Sequence, residues 1–389
     1  MNRKFFATPF DEGTLIKLEL FRRYLRSWLP VFIEQKYSVI EIADFFSGIG
    51  LDSSGALGSP LIILDELRIY CKKIKQYGGK VRLTLNDNSG PIIDALKKNI
   101  DDKISICLKN QSHNLCNGRS ISECPFEISV HNEDFNILFE QKFNQFLSRT
   151  NVPRFIFLDQ FGIKYVTKDV FQKLICLKKT DFMFFISSHH LVRFKDQPEF
   201  QKYLEISNLD FSSKKPSECH RVIYNYYKSI LGTNNGYLGQ FSIKKGANYY
   251  GIIFYSNSPV GLAKFLDAAW TIDPHTGETN HDIDNDPIRQ GQMTIDLFSD
   301  GNQNRVKKLV YFELRLLEFL VTPKSNKNLY IFAIENGISI PKTNEILRNL
   351  EKKKLIVVVN DPRPRRGVFY LDFNSKKNIL ICNNENNKN

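Results

Sequence analysis

Apolar positions recur along this chain at two spacings, and their alternation predicts an α/β fold. From Asp11 to Glu34, Leu15, Leu18, Leu20, Phe21, Leu25, Leu29 and Phe32 recur at helical spacing, with Lys17, Glu19, Arg22, Arg23 and Arg26 interleaved, so the segment reads as a packing helix. Val39–Asp44 follows as a short β-branched run and reads as a buried strand. Further strands are predicted at Val81–Asp87, Glu127–Phe135, Arg154–Leu158 and Asp181–Ser188. Between them, helical spacing marks Ser59–Gln76, Pro91–Ile100, Asn136–Ser148 and Thr167–Lys178. Ser59 is a candidate N-cap, with Pro60 as first helical residue. Strand and helix in turn predict a Rossmann-like parallel sheet with helices on both faces. Leu238–Lys244 and Tyr249–Ser256, parted by a Lys-Lys-Gly-Ala-Asn turn, read as a hairpin closing that sheet. Pro259–Trp270 reads as a helix.

After Trp270 the pattern changes. Thr271 to Asn302 is polar and rich in turn residues. Its acids Asp282, Asp284 and Asp286 lack the glycine and glutamate of a calcium loop. Val306–Val321, Asn328–Glu335 and Pro341–Lys352 then read as helices. Leu355–Val359 and Val368–Phe373 read as strands around Asn360–Gly367. Three helices followed by a hairpin is the order of a winged helix-turn-helix. The expected domains are residues 1–272 as the α/β domain (with insertions near 101–126 and 196–231), 273–304 as linker, 305–375 as winged helix and 376–389 as polar tail.

Charge sharpens the second half of this picture. The chain of 389 residues carries a formal net charge of +12. Residues 303–372 hold 14 Lys and Arg against 7 Asp and Glu, so more than half of the excess lies in the C-terminal module. Lys342, Asn344, Arg348 and Lys352 would lie on or near a recognition helix. Arg363, Arg365 and Arg366 would form a wing that meets phosphate. DNA or RNA is the expected partner, although winged helices also dock proteins. No apolar run approaches the length of a membrane span, and the first ten residues have no apolar core for a signal peptide. Seven scattered cysteines suit a reducing cytoplasm. Cys107, His113, Cys116 and Cys124 lack the close ligand pairing of zinc sites, so no metal is expected. Tyr203, Tyr224, Tyr226 and Tyr227, among lysines, offer either base stacking or core packing.

Candidate chemistry sits at the predicted strand ends. Asp44-x-Phe46-x-Gly48-x-Gly50 follows the first strand. Glycines serve where backbone needs positive φ or lies against a ligand. The spacing is neither the dinucleotide fingerprint nor a P-loop. Asp87 ends the second strand and offers only acceptors, as a ribose contact needs; a turn or capping role before the next helix competes with that reading. Asp134, with Phe135, ends the third strand. Asp159-Gln160-Phe161-Gly162 ends the fourth. That combination resembles the motif of amino-methyltransferases, which implies that Asp159 and the Gln160 carbonyl act as acceptors that orient the hydrogens of an exocyclic amine. Phe161 would stack on the target base. His189 and His190 follow the fifth strand as rim residues.

These motifs together resemble the three-Cys-motif partner (TcmP) family. The carriers are Asp44-x-Phe46-x-Gly48-x-Gly50, Gly58-Ser59-Pro60-Leu61 and Phe157-Leu158-Asp159-Gln160-Phe161-Gly162, with Tyr250–Phe254, Pro259, Gly261 and Trp270 to Pro274 behind them. The resemblance implies a class I methyltransferase-like fold that binds S-adenosylmethionine (SAM) over Gly48 and Gly50, with Asp44, Phe46, Asp87 and Asp134 as contacts. It also implies a partner bearing a three-cysteine motif, similar to radical-SAM proteins of phage and mobile elements, and hence a role in conflict with phage. The family pattern at the fourth strand is Asp-Pro-Phe-Gly. Gln160 replaces that proline, which would loosen the loop and weaken activity or change the target. An amino-methyltransferase acting on a nucleic-acid base is the first reading. A non-catalytic SAM-binding adaptor and a DNA-binding regulator with a vestigial α/β domain are the alternatives.

Overall fold

The computed structural model describes residues 8–109, 124–160, 162–194, 215–232, 236–290, 305–359 and 363–384. The chain divides into two compact units, Met1–Gly236 with Ser242–Asn257, and Tyr237–Phe241 with Ser258–Asn389.

The first unit is built on a mixed, Rossmann-like sheet. Its strands are β1 (Val39–Asp44), β2 (Lys80–Asn86), β3 (Phe126–His131), β4 (Arg154–Leu158), β5 (Thr180–Ile186), β6 (Tyr237–Lys245, which runs in from the second unit) and β7 (Asn248–Ser256). They lie in the order β3-β2-β1-β4-β5-β7-β6. β1 to β5 are parallel, and β7 runs antiparallel to β5. The order reverses at the β1–β4 pair, which opens a crevice beyond those carboxyl ends.

The helices follow the predicted alternation with shifted ends. They are α1 (Glu12–Glu34), α2 (Ser59–Arg68), α3 (Cys71–Gln76), α4 (Gly90–Lys109), α5 (Phe135–Ser148), α6 (Lys168–Cys176), α7 (Ser188–Phe194) and α8 (Cys219–Leu231). Asp11 caps α1 by accepting from the Thr14 amide at 2.9 Å. Phe21, Tyr24 and Trp28 of α1 pack on Phe155, and Phe21 also on Phe157. The helix expected over Ser59–Gln76 breaks at Ile69–Tyr70 into α2 and α3. The expected insertion near 101–126 begins as a continuation of α4 to Lys109. His113 and Cys116 lie outside the described residues. Tyr226 and Tyr227 turn into the core of α8, the Tyr227 hydroxyl donating to the Val166 carbonyl at 2.8 Å. They are core residues, not a surface for stacking bases; Tyr203 lies outside the described residues.

The second unit begins with α9 (Pro259–Ile272), which the sequence reading assigned to the first domain. Three more helices follow, α10 (Lys307–Phe319), α11 (Asn326–Glu335) and α12 (Ile340–Lys352). Strands β8 (Lys324–Ser325), β9 (Ile356–Val358) and β10 (Leu380–Asn383) form an antiparallel sheet in the order β8-β10-β9. The partner of β9 is thus Leu380–Asn383, inside the stretch read as polar tail, and not Val368–Phe373. Ile381 and Cys382 are buried there, while Phe369 and Leu371 are buried without joining the sheet. Asp273, in the stretch read as linker, is buried and accepts from the Thr276 hydroxyl, from backbone amides and from Arg289. Among the described residues no helix is long and apolar enough to cross a membrane.

Candidate functional site

The crevice at the β1–β4 reversal is bounded by the glycine turn after β1. Gly48 and Gly50 both hold positive φ, 61° and 84°. At Gly50 an added Cβ would lie 3.0 Å from Leu61, and at Gly58 it would lie 3.3 Å from the Gly50 backbone. Gly58 donates its amide to the Gly50 carbonyl at 2.8 Å. The turn is therefore closed onto the start of α2 by two glycines in contact. Gly58, not Ser59, is the N-cap of α2. Ser59 instead donates its hydroxyl to Asp44 at 2.6 Å.

Asp44 is fully buried at the tip of β1. It also accepts from the Phe46 amide at 3.2 Å. Burial pushes its carboxyl up to about 7, against the Ser59 and Phe46 hydrogen bonds and with help from the Asp159 charge, while Lys17 offsets part of the rise. That coupling brings the tips of β1 and β4 into one electrostatic site. Lys17, from α1, donates to Asp159 at 2.5 Å, with the two side chains 8% and 21% exposed. Its ammonium also lies 4.6 Å from the centre of the Phe185 ring. Lys17 was not among the residues picked from the sequence. Its position carried a signal, because it falls three residues after Thr14 and four before Phe21 on the buried stripe of α1. A lysine on such a stripe is buried only when paired.

Gln160 departs from expectation. The sequence predicts a loosened loop, yet the side chain is 1% exposed and its carbonyl oxygen accepts from the amides of Tyr165 and Val166, at 2.9 and 3.1 Å. It ties the loop where proline would have stiffened it. The Gly162 carbonyl accepts from the Ser187 amide at 3.1 Å, which fastens the loop to β5. Phe161 lies outside the described residues. His189 and His190 sit in α7 instead of a strand-end loop.

The remaining predicted contacts divide. Asp87 follows β2 and accepts from the Ser89 amide at 3.0 Å. Burial raises its carboxyl, against backbone hydrogen bonds from Ser89 and Gly48. The bond from Gly48 ties Asp87 to the glycine turn, while the bond from Ser89 is the turn geometry of the competing reading. Asp134 is exposed and caps α5 by accepting from the Asn136 amide at 2.8 Å. Phe135 is buried against Phe45, Phe46, Phe139 and Tyr165, its ring stacked on Phe46 at 5.1 Å. The predicted acid–aromatic pair is thus one helix cap and one core ring.

In the second unit, Arg348 and Lys352 of α12 are exposed, as are Arg365 and Arg366. Arg348 donates to the Gly367 carbonyl at 3.0 Å. Lys342 pairs with Glu345 at 2.8 Å, and Asn344 donates to the Ile340 carbonyl at 3.1 Å. Arg363 is turned inward, its side chain 2% exposed and paired with Glu351 at 2.7 Å. It holds the segment after α12 in place and is not presented to phosphate. No group of acids, histidines and cysteines suited to a metal occurs among the described residues.

No family model matches the chain, and no curated protein does. Solved structures with a similar arrangement include Trm1 from Pyrococcus horikoshii with SAM, at 12% identity and a TM-score of 0.35, covering 70% of this chain and 63% of that one. An O-methyltransferase from Bacillus cereus with SAH matches at 13% identity and 0.30, covering 64% and 91%. The N-terminal domain of human METTL16 with SAH matches at 11% and 0.26, covering 60% and 70%. The chain thus spans less than two thirds of the Pyrococcus protein. At TM-scores below 0.5 these likenesses establish no shared activity.

Proposed function

We propose that the first unit is a SAM-dependent methyltransferase acting on an exocyclic amine of a nucleic-acid base. The carrying observation is the coupled pair of acids, Asp44 and Asp159, at adjacent strand tips on either side of the sheet's reversal, beside a turn with two positive-φ glycines. Ligands of open α/β sheets bind at such a reversal. A sulfonium cofactor is cationic, and buried carboxylates with few compensating cations favour a cation. SAM would lie over Gly48 and Gly50 with Asp87 as the ribose contact. Lys17 would fix one oxygen of Asp159, leaving the other to accept from the amine and turn its lone pair toward the methyl group. Gln160 would keep the loop that presents its own backbone carbonyl from moving.

The second unit supports a nucleic-acid substrate. Three helices with a sheet in the order β8-β10-β9 suit a winged helix, with α12 as recognition helix and Arg348, Lys352, Arg365 and Arg366 as exposed cations. A protein partner with a three-cysteine motif, and a role in conflict with phage, extend this reading through the family resemblance. Incubation with methyl-labelled SAM and mixed DNA and RNA tests it. Label should reach the polymer with wild type and not with Asp159→Ala. Equal absence of transfer from both, with SAM still bound, would favour the non-catalytic adaptor.

A further inference from the structure

The first unit carries a second polar feature, away from the strand tips. Strand register aligns Glu127 with Arg82, Arg82 with Glu41, and Glu41 with Arg154. Because side chains alternate, these four share one face of the sheet. The next row on that face is Ser129, Thr84, Ala43 and Ile156. Three of those four are small, and the space they leave is a cavity of about 320 Å³. Lys142 and Phe146 of α5 and Arg149 at its C-cap line its other side.

The charges in this cavity do not cancel. Arg82, Lys142, Arg149 and Arg154 face two carboxylates, Glu41 and Glu127. Glu41 accepts from Arg154 Nε at 2.6 Å and from Arg149 at 2.8 Å. Glu127 is shared between Arg82 and Lys80, at 3.0 and 2.6 Å. The lining residues are thus two positive charges in excess, and Lys80 beside Glu127 adds a third. Arg154 is 1% exposed, and its Nη1 has no hydrogen-bond partner among the described residues. The same holds for His131 Nε2, two residues beyond Ser129 on the same face of β3. Lys142 makes no ion pair among the described residues, and burial lowers its ammonium pKa. A buried N–H without an acceptor is costly, while Arg82 and Arg149, 39% and 40% exposed, leave the cavity's excess charge open to an incoming anion.

We propose that this cavity binds a phosphate monoester as its dianion, with the phosphate on Arg154 Nη1, Arg149 and Lys142. A phosphate monoester carries nearly two negative charges at neutral pH, opposite in sign to the cavity's excess. Its oxygens accept from guanidinium forks in the geometry that arginine prefers. The volume is at the lower end for small-molecule sites, enough for a phosphate and part of what it is attached to. This site is independent of the crevice at the strand tips.

Calorimetry of the full chain with inorganic phosphate, AMP and adenosine tests it. Phosphate or AMP should bind at one saturable site, adenosine should not, and excess S-adenosylhomocysteine should not compete. Tighter binding of AMP than phosphate would identify a nucleotide site; equal binding would identify a site for the phosphate group alone. Arg149→Ala and Lys142→Ala should each weaken binding about tenfold. Thr84→Leu should fill the cavity and abolish binding while the circular dichroism spectrum is kept. No saturable phosphate or AMP binding at millimolar concentration would overturn the proposal. So would binding that Lys142→Ala and Thr84→Leu leave unchanged, or competition by S-adenosylhomocysteine.

Discussion

Replacing Asp44 by asparagine separates the cost of the buried charge from its use. The Asp44 carboxyl is fully buried, and its pKa rises from an ordinary 3.8 to about 7. The native protein therefore holds this proton more tightly than the unfolded chain. Stability is full below about pH 4, falls as pH rises toward 7, and levels off above it. At about 1.4 kcal/mol per pH unit, the cost to the ionised native state reaches about 4 kcal/mol, with the Lys17 charge and the Ser59 bond already included in that rise. Asparagine keeps an oxygen for the Phe46 amide, and its amide can donate to Ser59 once that hydroxyl turns. Urea unfolding at a series of pH values reads the outcome. Asp44→Asn should gain about 4 kcal/mol on the wild type between pH 4 and pH 8. A difference between the two proteins that stays flat with pH would refute the reasoning. The same group reports on the ligand: cation binding should lower the Asp44 pKa and release a proton near pH 6.5. That release should be absent in Asp44→Asn.

Four further perturbations probe other parts of the account. Lys17→Met leaves Asp159 beside Asp44 without its cation and should destabilise by about 2–3 kcal/mol, a loss largely recovered in the double variant with Asp159→Asn; thermal unfolding of the three proteins would show it. Gly251→Ala would place a Cβ 2.2 Å from the buried His220 ring and should cost about 3 kcal/mol, read as a lowered urea midpoint. Arg363→Ala should lower stability by removing a buried partner of Glu351. Arg365→Ala with Arg366→Ala should leave stability unchanged, weaken nucleic-acid binding and flatten its salt dependence by about one unit of slope per lost phosphate contact.

Much of the fold was legible because strand and helix periods alternate through the described residues from Asp11 to Ser188, apart from the insertion near 101–126. Local signals fixed β4 and the glycine turn, since four apolar residues and a Gly-x-Gly admit few alternatives. What failed was set by tertiary choices. Ser59 has the chemistry of an N-cap, but Asp44 at the end of a distant strand takes its hydroxyl. Val368–Phe373 has strand composition and buries Phe369 and Leu371, yet Leu380–Asn383 takes the place beside β9, a long-range pairing that local composition does not record. Asp134 looked like a ligand contact at a strand end, but β3 stops at His131 and Asp134 becomes the cap of α5. Lys17 was visible only as a charge among others; its ion pair with Asp159 spans 142 positions, which no local pattern records. Gln160 looked like a lost proline because its effect depends on where its side chain turns.

Equilibrium binding of S-adenosylhomocysteine, followed by calorimetry, tests the central claim most directly. Wild type should show one saturable site per chain, weakened at least about tenfold in Asp87→Ala while that variant remains folded. No binding to wild type, or binding indifferent to Asp87→Ala and to Gly50→Val in variants that remain folded, would contradict a cofactor seated at the strand tips.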